Sequence, residues 1–310
     1  MSTTINYTVE QKAVIQLLKS AVPERSAEID ELWDKYGPAI VVAGDAPKIV
    51  MDANRSRIRF DNKTLRVIWL MGFNGWHSVS LYSPSIVLSQ VWEISIDQAL
   101  SEDDERGLLE MDYRSRASTA ENLAHASSVE LVAWPEDIPE PGANREQLTT
   151  DQHKSTFDLV CMATAFVLLH EFRHVMLDAD EKRPEARLEE EAGCDVWARA
   201  FMMDKIDKYA SQSGSSFVAI QQKRAMALAL GAAILYDLTP EYDRFGSTDY
   251  PSLADRIHAM VTGTGPAQSS NFWLFASCLL IGIFRRTGQS LPFVVSDNET
   301  LVITLVEQLR

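Results

Sequence analysis

Positive charge is scarce in this sequence. Lys and Arg number 29 against 44 Asp and Glu, a formal net charge of −15 over 310 residues. Phosphate-rich partners are held through a basic face, so this balance excludes general affinity for nucleic acid or for an anionic membrane. Cysteine is nearly as sparse. Cys161, Cys194 and Cys278 are odd in number, far apart and set among apolar residues, which excludes a disulfide framework and fits reduced, buried thiols. Nothing resembles the paired-cysteine signature of zinc deaminases. The opening MSTTINYTVEQKAV has no charged n-region followed by an apolar stretch, so a cytoplasmic protein is expected. Apolar runs of the ~20 residues that a bilayer requires are also missing. TLRVIWLMGFNGWHSVSLYSPSIVLS is broken by Asn74, His77 and several serines, and NFWLFASCLLIGIF is short and ends in Arg285-Arg286; core helices are expected at both. No internal repeat or low-complexity tract interrupts the chain.

Histidine is rare too, at 6 residues, yet two of them fall in His170-Glu171-Phe172-Arg173-His174. On a helix, residues four apart lie one turn above each other, so both imidazoles reach one ion. Glu171 is offset by about 100° and stands beside the ion's open position, where a carboxylate serves as general base. Such a site needs a third ligand. Downstream, Glu189, Glu190 and Glu191 precede Ala192-Gly193-Cys194-Asp195, and only Glu191 has an acid four residues on. Glu191 is therefore the expected third ligand to Zn2+. Asp195, on the same helix face, is expected to hydrogen-bond the free nitrogen of a ligand histidine. Glu189 and Glu190 read as a solvated face, with Glu190 and Asp180 as the substitutes should Glu191 not ligate. The metzincin layout needs Gly and His where the chain has Leu177 and Asp180. Asp178 or Asp180 would serve only after a sharp turn that Leu177 disfavours. Cys194 points most of a turn away from Glu191 and reads as packing.

The composition, 46% hydrophobic, supports a large core in one domain or two packed ones. Residues 8–36 read as two helices interrupted by Pro23. AIVVAGDAPKIVMDANRSRIRFD reads as short strands with turns at Gly44-Asp45 and Asn54-Arg55. From Lys63 a long buried helix follows, with His77 as a hydrogen-bonded core residue. Residues 93–147, polar at SEDDERGLLEMDYRSRAS and proline-rich at WPEDIPEPG, read as an excursion over the surface, either bordering the cleft or a plain connector. Thr149 and Gln152 resemble a capping box opening the His170 helix, and Pro184 suits the first turn of the next one. SFVAIQQKRAMALALGAAILYDL reads as a further helix. LTPEYDRFGSTDYPSLADRIHAM reads as a loop and a short helix, able to supply Tyr250, Arg256 or His258 to an oxyanion. FVVSDNETLVITLVEQL reads as an edge segment and a terminal helix. The expected class is α+β and mostly helical. Residues 1–148 would carry helices, a small sheet and the acidic, proline-rich excursion packed on a zincin-like helical core at 149–310, the two forming one continuous domain or two units.

HEFRHVMLDADEKRP followed by LEEEAGCDVWARAFM resembles the peptidase family typified by the Lit phage-exclusion protease, a gluzincin-like group, and LRVIWLMGFNGWHSVSLYSPSI and WPEDIPEP are similar to it as well. The resemblance implies a cytosolic zinc endopeptidase of phage-defence character, with His170 and His174 as ligands and Glu171 as base. It also implies a protein substrate, with elongation factor Tu as the translation factor suggested by analogy. YPSLADRI resembles a segment that follows the metal site in other HExxH peptidases, with Tyr250 where many have His. Two other readings remain open at this point: a protein-binding regulatory module around a structural or inactive zinc, and a zinc hydrolase of small amides. Oligomeric state is not legible.

Overall fold

The computed structural model describes residues 7–44, 49–101 and 106–310. Helices α1 (Val9–Ala21) and α2 (Ser26–Tyr36) are separated by a 3-10 turn at Pro23. Thr8 caps α1 in a reciprocal capping box with Gln11, and Gly37 ends α2 in the left-handed conformation that a side chain disfavours. Strands β1 (Ala39–Ala43), β2 (Met51–Asn54) and β3 (Arg57–Asp61) form a sheet in the order β1-β3-β2, with β1 parallel and β2 antiparallel to β3. The turn expected at Asn54-Arg55 joins β2 to β3; the one at Gly44-Asp45 lies outside the described residues.

Helix α3 (Asn62–Trp92) is the long apolar segment, and most of one flank is buried. Gly72 meets Val160 and Gly75 meets Leu230 and Leu279, so three neighbouring helices approach the α3 backbone where no side chain stands between. Helices α4 (Ile96–Ser101) and α5 (Arg106–His125) follow. Here the surface excursion is corrected. Tyr113, Ala120 and Leu123 of α5 are buried, and its charges are absorbed by ion pairs: Glu110 with Arg114 and Arg285, Arg116 with Asp137. None of the described residues in 93–147 lines the cleft described below. The proline-rich loop closes on α3 through Trp69, whose indole N–H donates to the Pro139 carbonyl at 2.7 Å.

Helix α6 (Asp151–Ala179) runs through the middle of the fold. Its cap is Thr150, whose hydroxyl accepts from the His153 amide, one residue after the expected Thr149. Helix α7 (Arg187–Met203) starts three residues after Pro184, which lies in the linker and not in the helix. Helices α8 (Ile206–Ser213), α9 (Phe217–Leu238), α10 (Leu253–Thr262), α11 (Asn271–Arg286) and α12 (Asn298–Gln308) complete the chain. No strand forms at 291–297; there the backbone accepts from the amides of Ile96 and Asp97. Residues on both sides of position 148 join one hydrophobic cluster. α6 is long and apolar enough to cross a membrane by length and composition, and most of it is buried within the protein. The whole is α+β, mostly helical, with a small N-terminal sheet.

Candidate metal centre

α6 is held so that one face of it can be given over to chemistry. Phe172 is buried on a different face from the two histidines, stacked on Trp33 at 5.2 Å between centroids with Tyr36 edge-on at 6.2 Å. That contact locks the rotation of α6 against α2. His170 and His174 then lie side by side beneath α7, both buried, with their Nε2 atoms 3.1 Å apart. Glu191 of α7 meets both: one carboxylate oxygen is 3.3 Å from His170 Nε2, the other 3.6 Å from His174 Nε2. These three are the residues that gather ligand atoms within 4.8 Å of one another among the described residues.

The outer nitrogens decide what the inner ones are. His170 Nδ1 is 2.8 Å from Asp195 Oδ1, and His174 Nδ1 is 2.6 Å from Glu190 Oε1. A carboxylate only accepts, so in each neutral ring the proton sits on Nδ1 and the Nε2 lone pair faces inward. Two lone pairs and a carboxylate then converge with no donor among them, an arrangement that repels itself unless a cation lies between. The donor set, two imidazoles and one carboxylate, is that of a catalytic zinc site with a position left for water or substrate. The residues fit a divalent metal such as Zn2+.

Each carboxylate is in turn tied to an arginine. Arg256 of α10 donates to Asp195 through Nε at 2.7 Å and a terminal nitrogen at 2.8 Å. Arg183, from the linker between α6 and α7, approaches Glu190 at 3.7 Å. Burial works against the Asp195 carboxylate, but Arg256 and the His170 hydrogen bond hold it well below the usual range. Burial opposes the charged His170 ring as well, and the hydrogen bonds to Asp195 and Glu191 outweigh it, raising the metal-free imidazole to about 9. The Glu171 carboxyl is raised by burial against the pull of the two histidines. Cys194 lies 3.5 Å from His174 Nδ1, on the side away from Glu191, and its thiol is pushed up by burial, so it packs as a neutral group.

The three inward groups line a cleft of about 320 Å³ together with Glu171. Met51 and Asp52 of β2 form one wall, and Leu235 and Leu238 at the end of α9 another. Among the matches to known proteins, the family model described as Peptidase U49 covers residues 58–276. The chain belongs to the peptidase U49 family. It carries the Lit-like assignment together with the HExxH-and-glutamate site of a gluzincin peptidase. No curated protein and no solved structure matches this U49 chain.

The other expected site residues fall as follows in this U49 peptidase. Tyr250 and Arg256 line the cleft, and the Tyr250 ring is stacked by Arg187 at 4.9 Å; Arg187 in turn stands 3.7 Å from Glu191. His258, on the same helix as Arg256, is not among the cleft residues. Asp180 turns away to accept from Tyr36 and Lys35, and Asp178 accepts from the Arg55 amide, so the early-aspartate layout does not form. Glu190, expected on the solvated face, is buried against His174. Its i+4 neighbour Cys194, an apolar position on the same stripe, was the one sequence signal for that burial. His77 is half-buried and shows no side-chain hydrogen bond among the described residues; His125 is exposed, and His153 meets the edge of Phe73.

Proposed function

We propose that this protein is a zinc-dependent endopeptidase that cleaves a protein substrate in the cytoplasm, with Glu171 as its general base. The observation that carries the reading is the convergence of His170, His174 and Glu191 on one point beside Glu171, at the floor of an open cleft. Held by those three residues, zinc supplies a Lewis acid that polarises the scissile carbonyl and makes water acidic enough to lose a proton near neutral pH. Glu171 takes the proton from the attacking water. Its carboxyl, raised by burial, then releases the same proton to the departing amine, so the residue is regenerated in each turnover. Tyr250, kept protonated by burial, is the candidate donor to the oxyanion. Arg256 holds Asp195, and through it His170.

The free thiols of Cys161, Cys194 and Cys278 suit a reducing compartment. The family likeness makes a translation factor the substrate to try first, elongation factor Tu among them. A structural-zinc module is disfavoured by the donor count. Structural zinc takes four protein ligands, often cysteine, and the nearest cysteine faces the wrong side of His174. The test is a comparison of new protein termini in cells expressing the wild type and Glu171→Gln. Wild-type-specific termini, with zinc bound equally by both proteins, support the reading; cleavage unchanged in Glu171→Gln refutes it.

A further inference from the structure

A second concavity adjoins the metal cleft. It is a groove of about 380 Å³ between the first turns of α7 and the loop before α10, walled by Leu188, Ala192, Phe245, Tyr250 and Pro251 with Glu189 at the rim. Tyr250 is the one residue that lines both the groove and the cleft, and Arg187 stacks on its ring from the cleft side. The two concavities thus adjoin at Tyr250.

The loop is pre-formed. Gly246 adopts φ +81°, and a side chain there would press on the Ser252 backbone. Ser247 N–H donates to the Tyr250 carbonyl at 2.9 Å, Leu253 N–H to the Arg244 carbonyl at 2.9 Å, and the Ser247 hydroxyl accepts from the amides of Asp249 and Tyr250 at 3.1 Å. That framework fixes Phe245 outward, 70% exposed, where it has no route into the core. Covering such a ring removes apolar surface from water, so its position beside the cleft favours an apolar guest. The charge at the rim is also one-sided. Asp255 is occupied by Ser252 and Arg310, whereas Glu189 is exposed with no ion pair among the described residues.

We propose that this groove is a recognition subsite of the peptidase, taking a bulky apolar side chain of the substrate polypeptide with a basic residue beside it that meets Glu189. The proposal rests on the peptidase reading only for what passes through the cleft, and its test separates the two. Zinc-loaded Glu171→Gln protein is panned against a random displayed-peptide library, and zinc-loaded wild type is incubated with a proteome-derived peptide library. The expected result is enrichment of Phe, Leu, Met, Trp or Tyr at one fixed position in both experiments, with Lys or Arg adjacent. Adding Phe245→Ser flattens that preference and lowers kcat/KM for the favoured peptides about tenfold or more, while peptides lacking the apolar residue are cleaved as before and zinc content is unchanged. Glu189→Lys shifts the neighbouring preference from basic to acidic. Cleavage or capture with no apolar enrichment, or enrichment that survives Phe245→Ser, overturns the subsite. Enrichment on the Glu171→Gln protein without turnover by the wild type would instead overturn the peptidase reading and leave the subsite standing.

Discussion

Replacing Glu190 by Gln tests the outer half of the metal centre. The Glu190 carboxylate accepts the His174 Nδ1 proton at 2.6 Å in a buried setting. Gln keeps an acceptor of the same reach but removes the charge that makes the imidazole a stronger donor of its Nε2 lone pair. Loss of such a carboxylate partner costs about 10–100-fold in metal affinity, or about 1.4–2.7 kcal/mol. The folding cost is much smaller, because the cation left behind is Arg183, 40% exposed at its side chain and only 3.7 Å from Glu190 at its nearest. Asp195→Asn behaves differently: it weakens the grip on His170 and also leaves Arg256, 15% exposed, without its counter-charge and with at most one of its two short hydrogen bonds, the amide NH2 now facing a guanidinium N–H. The prediction is thus a split. Competition against a chromophoric zinc chelator should show weakened affinity in both variants, while the thermal midpoint of the metal-free protein falls only in Asp195→Asn. Zinc affinity within twofold of wild type in Glu190→Gln would refute the argument that Nδ1 hydrogen bonding sets the strength of the site.

Four further outcomes are expected. Zinc content measured by elemental analysis should drop in Glu191→Ala and stay stoichiometric in Asp180→Ala; the reverse would move the third ligand to the linker. Gly72→Ala drives a methyl into Val160 and should destabilise the fold by about 1–3 kcal/mol, seen as a lower urea midpoint. Glu24→Ala strands Arg224, which is 2% exposed and bound by both Glu24 oxygens, at a cost of about 3–5 kcal/mol; Glu24→Gln should cost less. His77 is held down to about 4 by burial and by the nearby Arg116. Between pH 6.5 and 4 the unfolded chain takes up a proton that the folded one refuses, so stability falls as pH drops through that window. The loss is on the order of 1–2 kcal/mol after discounting for partial exposure, and urea titrations of His77→Gln should lack it.

The inner site was legible because its geometry is local. The i,i+4 spacing of His170 and His174, and of Glu191 and Asp195, fixes each pair on one helix face before any tertiary contact is known. The long apolar helix and the three strands were legible from runs and turn residues. What was lost in the sequence is what depends on partners far away. Glu110 looks solvated until Arg285, 175 residues on, is seen beside it, and Arg116 until Asp137 is. For that reason α5 resembled a surface excursion. Glu190 failed in the same manner: three successive glutamates cannot reveal that α7 lies on α6 with two adjacent faces covered. The choice of Thr150 over Thr149 as cap rests on backbone direction alone, since either hydroxyl can accept.

The inward-facing pair of ring nitrogens makes loading of this protein an exchange of ions. A proton held on His170 Nε2, which faces Glu191 at 3.3 Å and is raised to about 9 in the absence of metal, competes with the cation for the same lone pair. Zinc must evict it, so uptake acidifies an unbuffered solution, and apparent affinity should climb about tenfold for each unit of alkalinity until the imidazole titrates. Lowering the pH therefore works against metal binding at the ligands themselves.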